Sequence, residues 1–238
     1  LIVAGSTGFV GTEVIRQAIH HPSITSVVGL ARRATPPPEA GSPKASKFKS
    51  VVCEDFSNYS DSVKEELRGA DACIWLLAVT PSSIKTLTLD EIRKICQDYT
   101  VTGLEALTAL SKDANKSLRF VYASGSNAQR DQTKKPWVLG DYSLLRGECE
   151  NRVLDAAKQS NGVLESYILK PGLLSGPGRD GIKMQVTQFL MSSMIGLPHA
   201  RVQDVSAAAL HIAVHGFEND TISNEDLTRI GQKALGEQ

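Results

Sequence analysis

Glycines at positions 5, 8 and 11 stand directly after a short apolar run, Leu1 to Ala4, and directly before a segment of helical period. The stretch Gly5-Ser6-Thr7-Gly8-Phe9-Val10-Gly11 therefore reads as a strand-to-helix corner. Gly5 permits the tight turn, Gly8 lets the backbone approach a pyrophosphate, and Gly11 allows close packing of helix on strand. The helix start adds unpaired N–H groups and the positive end of a dipole, which suits phosphate. The spacing is GxxGxxG rather than GxGxxG. A glycine-rich turn can exist without a ligand, but the strand–loop–helix context points to a bound dinucleotide.

Beyond the corner the chain alternates short apolar runs with longer helical segments. Strands are predicted at residues 1–4, 27–31, 48–53, 72–79, 119–123 and 165–169, and helices at 12–20, 60–69, 89–110 and 142–159. Residues 72–79 are apolar throughout, as befits a strand buried on both faces of a parallel sheet. Residues 32–43 carry Pro36, Pro37 and Pro38 in a row and must be surface loop. The pattern predicts an α/β chain with a doubly wound parallel sheet (a Rossmann fold) and right-handed crossovers. Residues 1–238 are read as one NAD(P)-binding domain. Within it, residues 172–200, which hold Met184, Met191 and Met194, contribute a small C-terminal cap on the substrate side.

A chain of 238 residues can bury a core without disulfides or structural metals. Cys53, Cys73, Cys96 and Cys149 form no CxxC pair and are expected as buried thiols in a reducing compartment. Lys plus Arg number 26 against 26 for Asp plus Glu, a balance that argues against a nucleic-acid surface or a polybasic anchor. The run at 72–79 is too short to span a bilayer. A cytoplasmic location is the simplest expectation, and a start inside a strand leaves room for a mitochondrial or membrane-associated leader. His211 and His215 have the i, i+4 spacing of a metal pair but no third ligand at a suggestive spacing, so no metal is expected. Trp75 is expected in the core, and Trp137 at the border of the pocket.

The end of the second strand selects the dinucleotide. A carboxylate there would hold a ribose 2′-hydroxyl, whereas basic residues accept a 2′-phosphate. The strand ends Ala31-Arg32-Arg33, and guanidinium forks suit phosphate oxygens, so NADP(H) is the expected cofactor. Asp55-Phe56, just beyond the third strand, either meets the adenine edge or caps the strand end.

Tyr142-Ser143-Leu144-Leu145-Arg146-Gly147-Glu148 and Lys170-Pro171-Gly172-Leu173-Leu174 complete the pattern, together with Asp98-Tyr99 and the segment Arg201 to Val205. With the glycine loop and Arg32-Arg33, they resemble the atypical short-chain dehydrogenase/reductases of the NAD(P)-binding Rossmann superfamily, in their Tat-interacting-protein-like branch. The resemblance covers most of the chain. It implies that Tyr142 is the catalytic acid, beside a serine that orients a substrate carbonyl. It extends the cofactor set to Leu77, Ala78 and Val79 at the end of the fourth strand and to Pro171, Leu173 and Leu174 after the sixth. A homodimer is a further implication.

Two positions depart from the family pattern. Arg146 stands where a lysine binds the nicotinamide ribose and lowers the tyrosine pKa; positions i and i+4 share a helix face, so a basic residue there reaches the tyrosine. Arginine keeps its charge but differs from lysine in shape and in proton exchange. Gly125 falls where the serine usually sits, with Ser124 and Ser126 on either side as candidates. Two functional readings follow. One is an NADP(H)-dependent oxidoreductase acting on a carbonyl or alcohol of a small, largely apolar molecule. The other is a non-redox NADP-binding protein, an isomerase, a cyclase or a dinucleotide-sensing regulator.

Overall fold

A computed structural model of the chain describes residues 1–39, 41–79, 83–177 and 197–237. The elements in chain order are β1 (Ile2–Ala4), α1 (Phe9–Ala18), β2 (Val27–Ala31), β3 (Phe48–Val52), α2 (Asp61–Leu67), β4 (Ala72–Trp75), α3 (Leu89–Arg93) and α4 (Tyr99–Asp113). They continue with β5 (Leu118–Ala123), α5 (Gly140–Gln159), β6 (Leu164–Leu169), β7 (Leu173–Ser175), β8 (His199–Arg201), α6 (Val202–His215), β9 (Thr221–Ile222) and α7 (Asn224–Gly236). Seven strands form one sheet in the order β3-β2-β1-β4-β5-β6-β9. Every pairing in it is parallel, with Ala4 opposite Leu30 on one side and Trp75 on the other. The order reverses direction at β1, so a crevice opens beyond the carboxyl ends of β1 and β4, the usual place for a ligand in such sheets.

Period-two alternation sorts the central strands between two cores. Ile2, Cys73, Trp75, Phe120 and Tyr122 face a layer that includes Val63, Leu107 and Val153 from α2, α4 and α5. Val3, Ile74 and Val121 face the opposite layer with Val14, Ala208 and Leu227 from α1, α6 and α7. Both faces are covered, which is why these strands read as unbroken apolar runs. Gly103 lets α4 ride directly over the Trp75 ring, where any Cβ would collide with the indole. The indole N–H donates to Thr100 Oγ1 at 3.0 Å.

Several boundaries differ from expectation. β4 stops at Trp75, because its partner β1 ends at Ala4; the last ladder bond runs from the Leu76 N–H to the Ala4 carbonyl. α1 begins at Phe9 rather than residue 12, with Gly8 as an extended N-cap. The segment predicted as one helix over 89–110 is interrupted by a π turn at Lys94–Asp98. β9 and the parallel pair β7–β8 had no clear sequence signal. The three methionines and most of the predicted cap lie outside the described residues. All four cysteines are buried free thiols, as expected. Among the described residues no helix is long and apolar enough to cross a membrane.

Candidate functional site

The glycine corner is built as a backbone cradle. Gly5 sits at φ +84°, in the left-handed region, and its N–H donates to the Leu30 carbonyl at 2.9 Å. The Gly8 N–H returns to the Gly5 carbonyl at 3.0 Å. A Cβ on Gly11 would collide with the Gly5 carbonyl oxygen, so the missing side chain is what lets α1 seat on the loop. A Cβ on Gly8 would meet one atom only, Gly5 O at 3.2 Å, and otherwise points into open space. The first turn of α1 carries no acidic residue to oppose an anion. Ser6 is buried, its hydroxyl paired with Thr35 Oγ1 at 2.6 Å, so only its backbone faces the corner.

Arg32 and Arg33 follow β2, where Leu30 already bonds the glycine loop. Both are exposed and make no hydrogen bond or ion pair among the described residues. Thr35 fixes the bend beyond them, bonding Ser6 and donating its N–H to Ser50 Oγ at 2.8 Å. Asp55 is exposed and its carboxylate accepts the Ser57 N–H at 2.9 Å, a bond that also holds it below the usual carboxylate range. The side-chain reading of Phe56 needs correction. Its ring is fully buried against Tyr59, Trp75 and Tyr99, so it is a core residue and presents no face to an adenine.

Tyr142 and Arg146 lie one turn apart on α5, which starts from Leu139 in the left-handed conformation at φ +52°. The Tyr142 hydroxyl donates to the Val79 carbonyl at 2.9 Å. Val79 is itself held, its N–H donating to Cys96 Sγ at 3.2 Å in the π turn. Arg146 is buried. Its Nη2 donates to the Ala123 carbonyl at 2.6 Å, its guanidinium carbon lies 5.0 Å from the Tyr122 ring centroid, and Nη1 has no partner. Resemblance implied a lowered tyrosine pKa. Here burial pushes Tyr142 up and the Arg146 charge only partly offsets it, because the loss of hydration is the larger effect.

The two serines have different fates. Ser124 follows β5 and donates its hydroxyl to Glu150 Oε1 at 2.5 Å, so this group is turned away from a substrate. Ser126 is anchored through its N–H to the Pro171 carbonyl at 2.9 Å, and its hydroxyl makes no hydrogen bond among the described residues. Glu150, which sequence reasoning passed over, is fully buried and also meets Arg130 Nε at 2.6 Å and Lys170 Nζ at 3.3 Å. A charged residue on a polar helix reads as solvated; the pairing comes from three separate segments, so no local pattern could reveal it. Gly147 lets α5 pack against the backbone of Gln129, which a Cβ would penetrate.

Leu77 and Ala78 are half-buried beyond β4, whereas Val79 is buried with both backbone polar groups engaged. After β6, the Leu173 N–H donates to the Pro198 carbonyl and the Gly172 N–H to Asn224 Oδ1, both at 2.8 Å, leaving Pro171, Leu173 and Leu174 half-buried. Trp137 is 98% exposed, so its ring is not enclosed by the described residues. His211 and His215 stack with centroids 4.8 Å apart, and burial lowers the His211 pKa. Among the described residues no group of three or more His, Cys, Asp or Glu side chains could hold a metal ion.

Comparison with known proteins places these features in context. The profile of the 3-beta hydroxysteroid dehydrogenase/isomerase family matches residues 2–179. The protein FMP52, mitochondrial, of Candida albicans is 25% identical over 96% of both chains. The leucinostatins biosynthesis cluster protein T of Purpureocillium lilacinum is 29% identical over 76% of this chain and 68% of its own. Among solved structures, the dTDP-glucose 4,6-dehydratase DesIV of Streptomyces venezuelae, with NAD bound, superposes with a TM-score of 0.67. It is 16% identical over 99% of this chain and 80% of its own, a likeness of fold.

Proposed function

The chain belongs to the 3-beta hydroxysteroid dehydrogenase/isomerase family, and from that premise we propose an NADP(H)-dependent oxidoreductase acting on a carbonyl or alcohol of a small, largely apolar molecule. The observation that carries this reading is the placement of Tyr142 one helical turn before the buried Arg146, whose Nη1 has no partner among the described residues. A buried unpaired guanidinium nitrogen is costly, and a ligand hydroxyl would satisfy it.

The cradle fits a dinucleotide. The backbone of Gly5 through Gly11 would hold the diphosphate, with Gly8 open to its approach. Arg32 and Arg33, which make no hydrogen bond or ion pair among the described residues, would take a 2′-phosphate. Arg146 Nη1 would donate to a ribose hydroxyl, and Leu77, Ala78, Pro171, Leu173 and Leu174 would flank the nicotinamide side. When bound, the nucleotide supplies the hydride. Tyr142 supplies the proton, exchanging the Val79 carbonyl for the substrate oxygen. Burial holds this phenol above its ordinary value and keeps it protonated, and the Arg146 charge opposes that shift, easing release of the proton to the substrate oxygen. Ser126, whose hydroxyl is unpaired, would polarise the carbonyl. Val79, Ile92, Cys96 and Leu145 form a buried apolar cluster that seats the Tyr142 ring.

Fluorescence titration with NADPH against NADH tests the premise: tight NADPH binding is expected, and failure of both nucleotides would sink it. The non-redox reading draws on the absent lysine and on the two hydroxyls bonded inward, at Tyr142 and Ser124. Arg146→Lys separates the two: faster NADPH-dependent turnover of a carbonyl panel favours the reductase, and no change alongside stoichiometric binding favours the alternative. For location, the mitochondrial names of the relatives outweigh the composition argument for the cytoplasm, and cell fractionation decides it. A homodimer is proposed on family resemblance, with sedimentation as its test.

A further inference from the structure

We propose that Glu150 is a positioning residue: it fixes Ser124, and through Ser124 the end of β5 against which Arg146 is aimed. The proposal rests on the reading of Arg146 as a nucleotide-ribose donor.

Glu150 is fully buried and both its oxygens are used. Oε2 faces Arg130 Nε at 2.6 Å and Lys170 Nζ at 3.3 Å, and Oε1 accepts the Ser124 hydroxyl at 2.5 Å. The two cations are tied down in turn. Arg130 Nη2 donates to Thr221 Oγ1 on β9, and Lys170 Nζ donates to the Ala128 carbonyl, each at 2.9 Å. One carboxylate thus joins the ends of β5 and β6, the loop after β5, and the edge strand β9.

Glu150 also lies one turn beyond Arg146 on α5, on the same helix face. Arg146 Nη2 bonds the Ala123 carbonyl and Glu150 bonds the very next residue, Ser124. α5 therefore grips two consecutive residues of β5's end with two consecutive turns. The cations alone would satisfy the carboxylate's charge, so the short bond to Ser124 adds direction. It holds the Ala123 carbonyl in place, and with it the orientation of the guanidinium whose Nη1 is left unpaired.

Removing the carboxylate itself leaves two half-buried cations uncompensated and threatens folding. Ser124→Ala cuts only the link to β5. We expect it to fold, to melt about 3–12 °C below the parent as the lost hydrogen bond to a buried charged group implies, and to raise the Kd for NADPH about tenfold. Glu150→Gln should weaken binding at least as much. The double variant should bind no worse than Glu150→Gln alone, since both cut one path. A merely structural role would lower Tm and leave the affinity of the folded protein unchanged. Parent-like affinity in Ser124→Ala, or additive losses in the double variant, would overturn the proposal while leaving the cofactor reading intact. Failure of the parent protein to bind either nucleotide takes both down.

Discussion

Gly8→Ala separates ligand binding from folding more cleanly than any other change at the corner. The residue has φ −81° and ψ 168°, open to alanine, so no backbone strain arises. Its new methyl would meet only Gly5 O at 3.2 Å, a contact relieved by a few tenths of an ångström. Reduced freedom of the unfolded chain stabilises by about 0.4–1 kcal/mol. Loss of a favourable N-cap residue costs about as much. The net is within about 1 kcal/mol, or roughly 4 °C in Tm for a chain of this size. A diphosphate seated on the cradle, in contrast, would meet the methyl where the backbone must approach it. Overpacking of that kind costs about 1–3 kcal/mol, which is about 5- to 150-fold in Kd. Thermal melting without nucleotide and fluorescence titration with NADPH, run on the same preparation, give both quantities. Unchanged affinity would refute the cradle, and a Tm loss above about 8 °C would show that the space beyond Gly8 is not open.

Tyr142→Phe keeps the ring and loses the proton, so turnover of a carbonyl substrate should fall about 10²–10⁴-fold with nucleotide affinity little changed; retention of turnover would exclude Tyr142 as the acid. Replacing Arg32 and Arg33 together by Ala should weaken NADPH by about 10- to 100-fold and leave NADH within about twofold, read as the ratio of their dissociation constants; an equal loss for both would remove the 2′-phosphate role. Burial holds the Tyr59, Tyr122 and Tyr142 hydroxyls and the Cys73 and Cys149 thiols above their usual values. The unfolded chain releases these protons first, near pH 8.5 for thiols and near pH 10 for phenols, about their ordinary values. Stability is therefore full below that range and falls as pH rises through it; a Tm that stays level to about pH 11 contradicts the burial of these groups.

The sequence made the sheet legible because apolar strands buried on both faces and glycine-marked corners are local signals; β2 falls on its predicted bounds and the glycine loop opens a helix as expected. What escaped depends on partners distant in sequence. β4 ends where its neighbour turns away, a fact of pairing rather than of Leu76 to Val79 themselves. Phe56 looked available beside a strand end and is instead enclosed by Tyr59 of its own loop and by Trp75 and Tyr99 from two distant elements. Ser124 and Ser126 were indistinguishable in the sequence, and it is Glu150, twenty-six residues from Ser124, that takes up the Ser124 hydroxyl. Tyr142 and Arg146 were singled out by resemblance to the family pattern, and the structure puts them one turn apart on α5, but the Val79 carbonyl that receives the phenol could not be inferred from either.

The π turn at Lys94–Asp98 gives the helical segment one residue more than a regular path would need. That surplus residue acts as a shim. Delete one position there and the coil could tighten to ordinary pitch, swinging the Cys96 sulfur off the Val79 amide. The Val79 carbonyl would then drift from the phenol it now restrains. Chain length in a stretch remote from the glycine corner thus sets how far the tyrosine can reach.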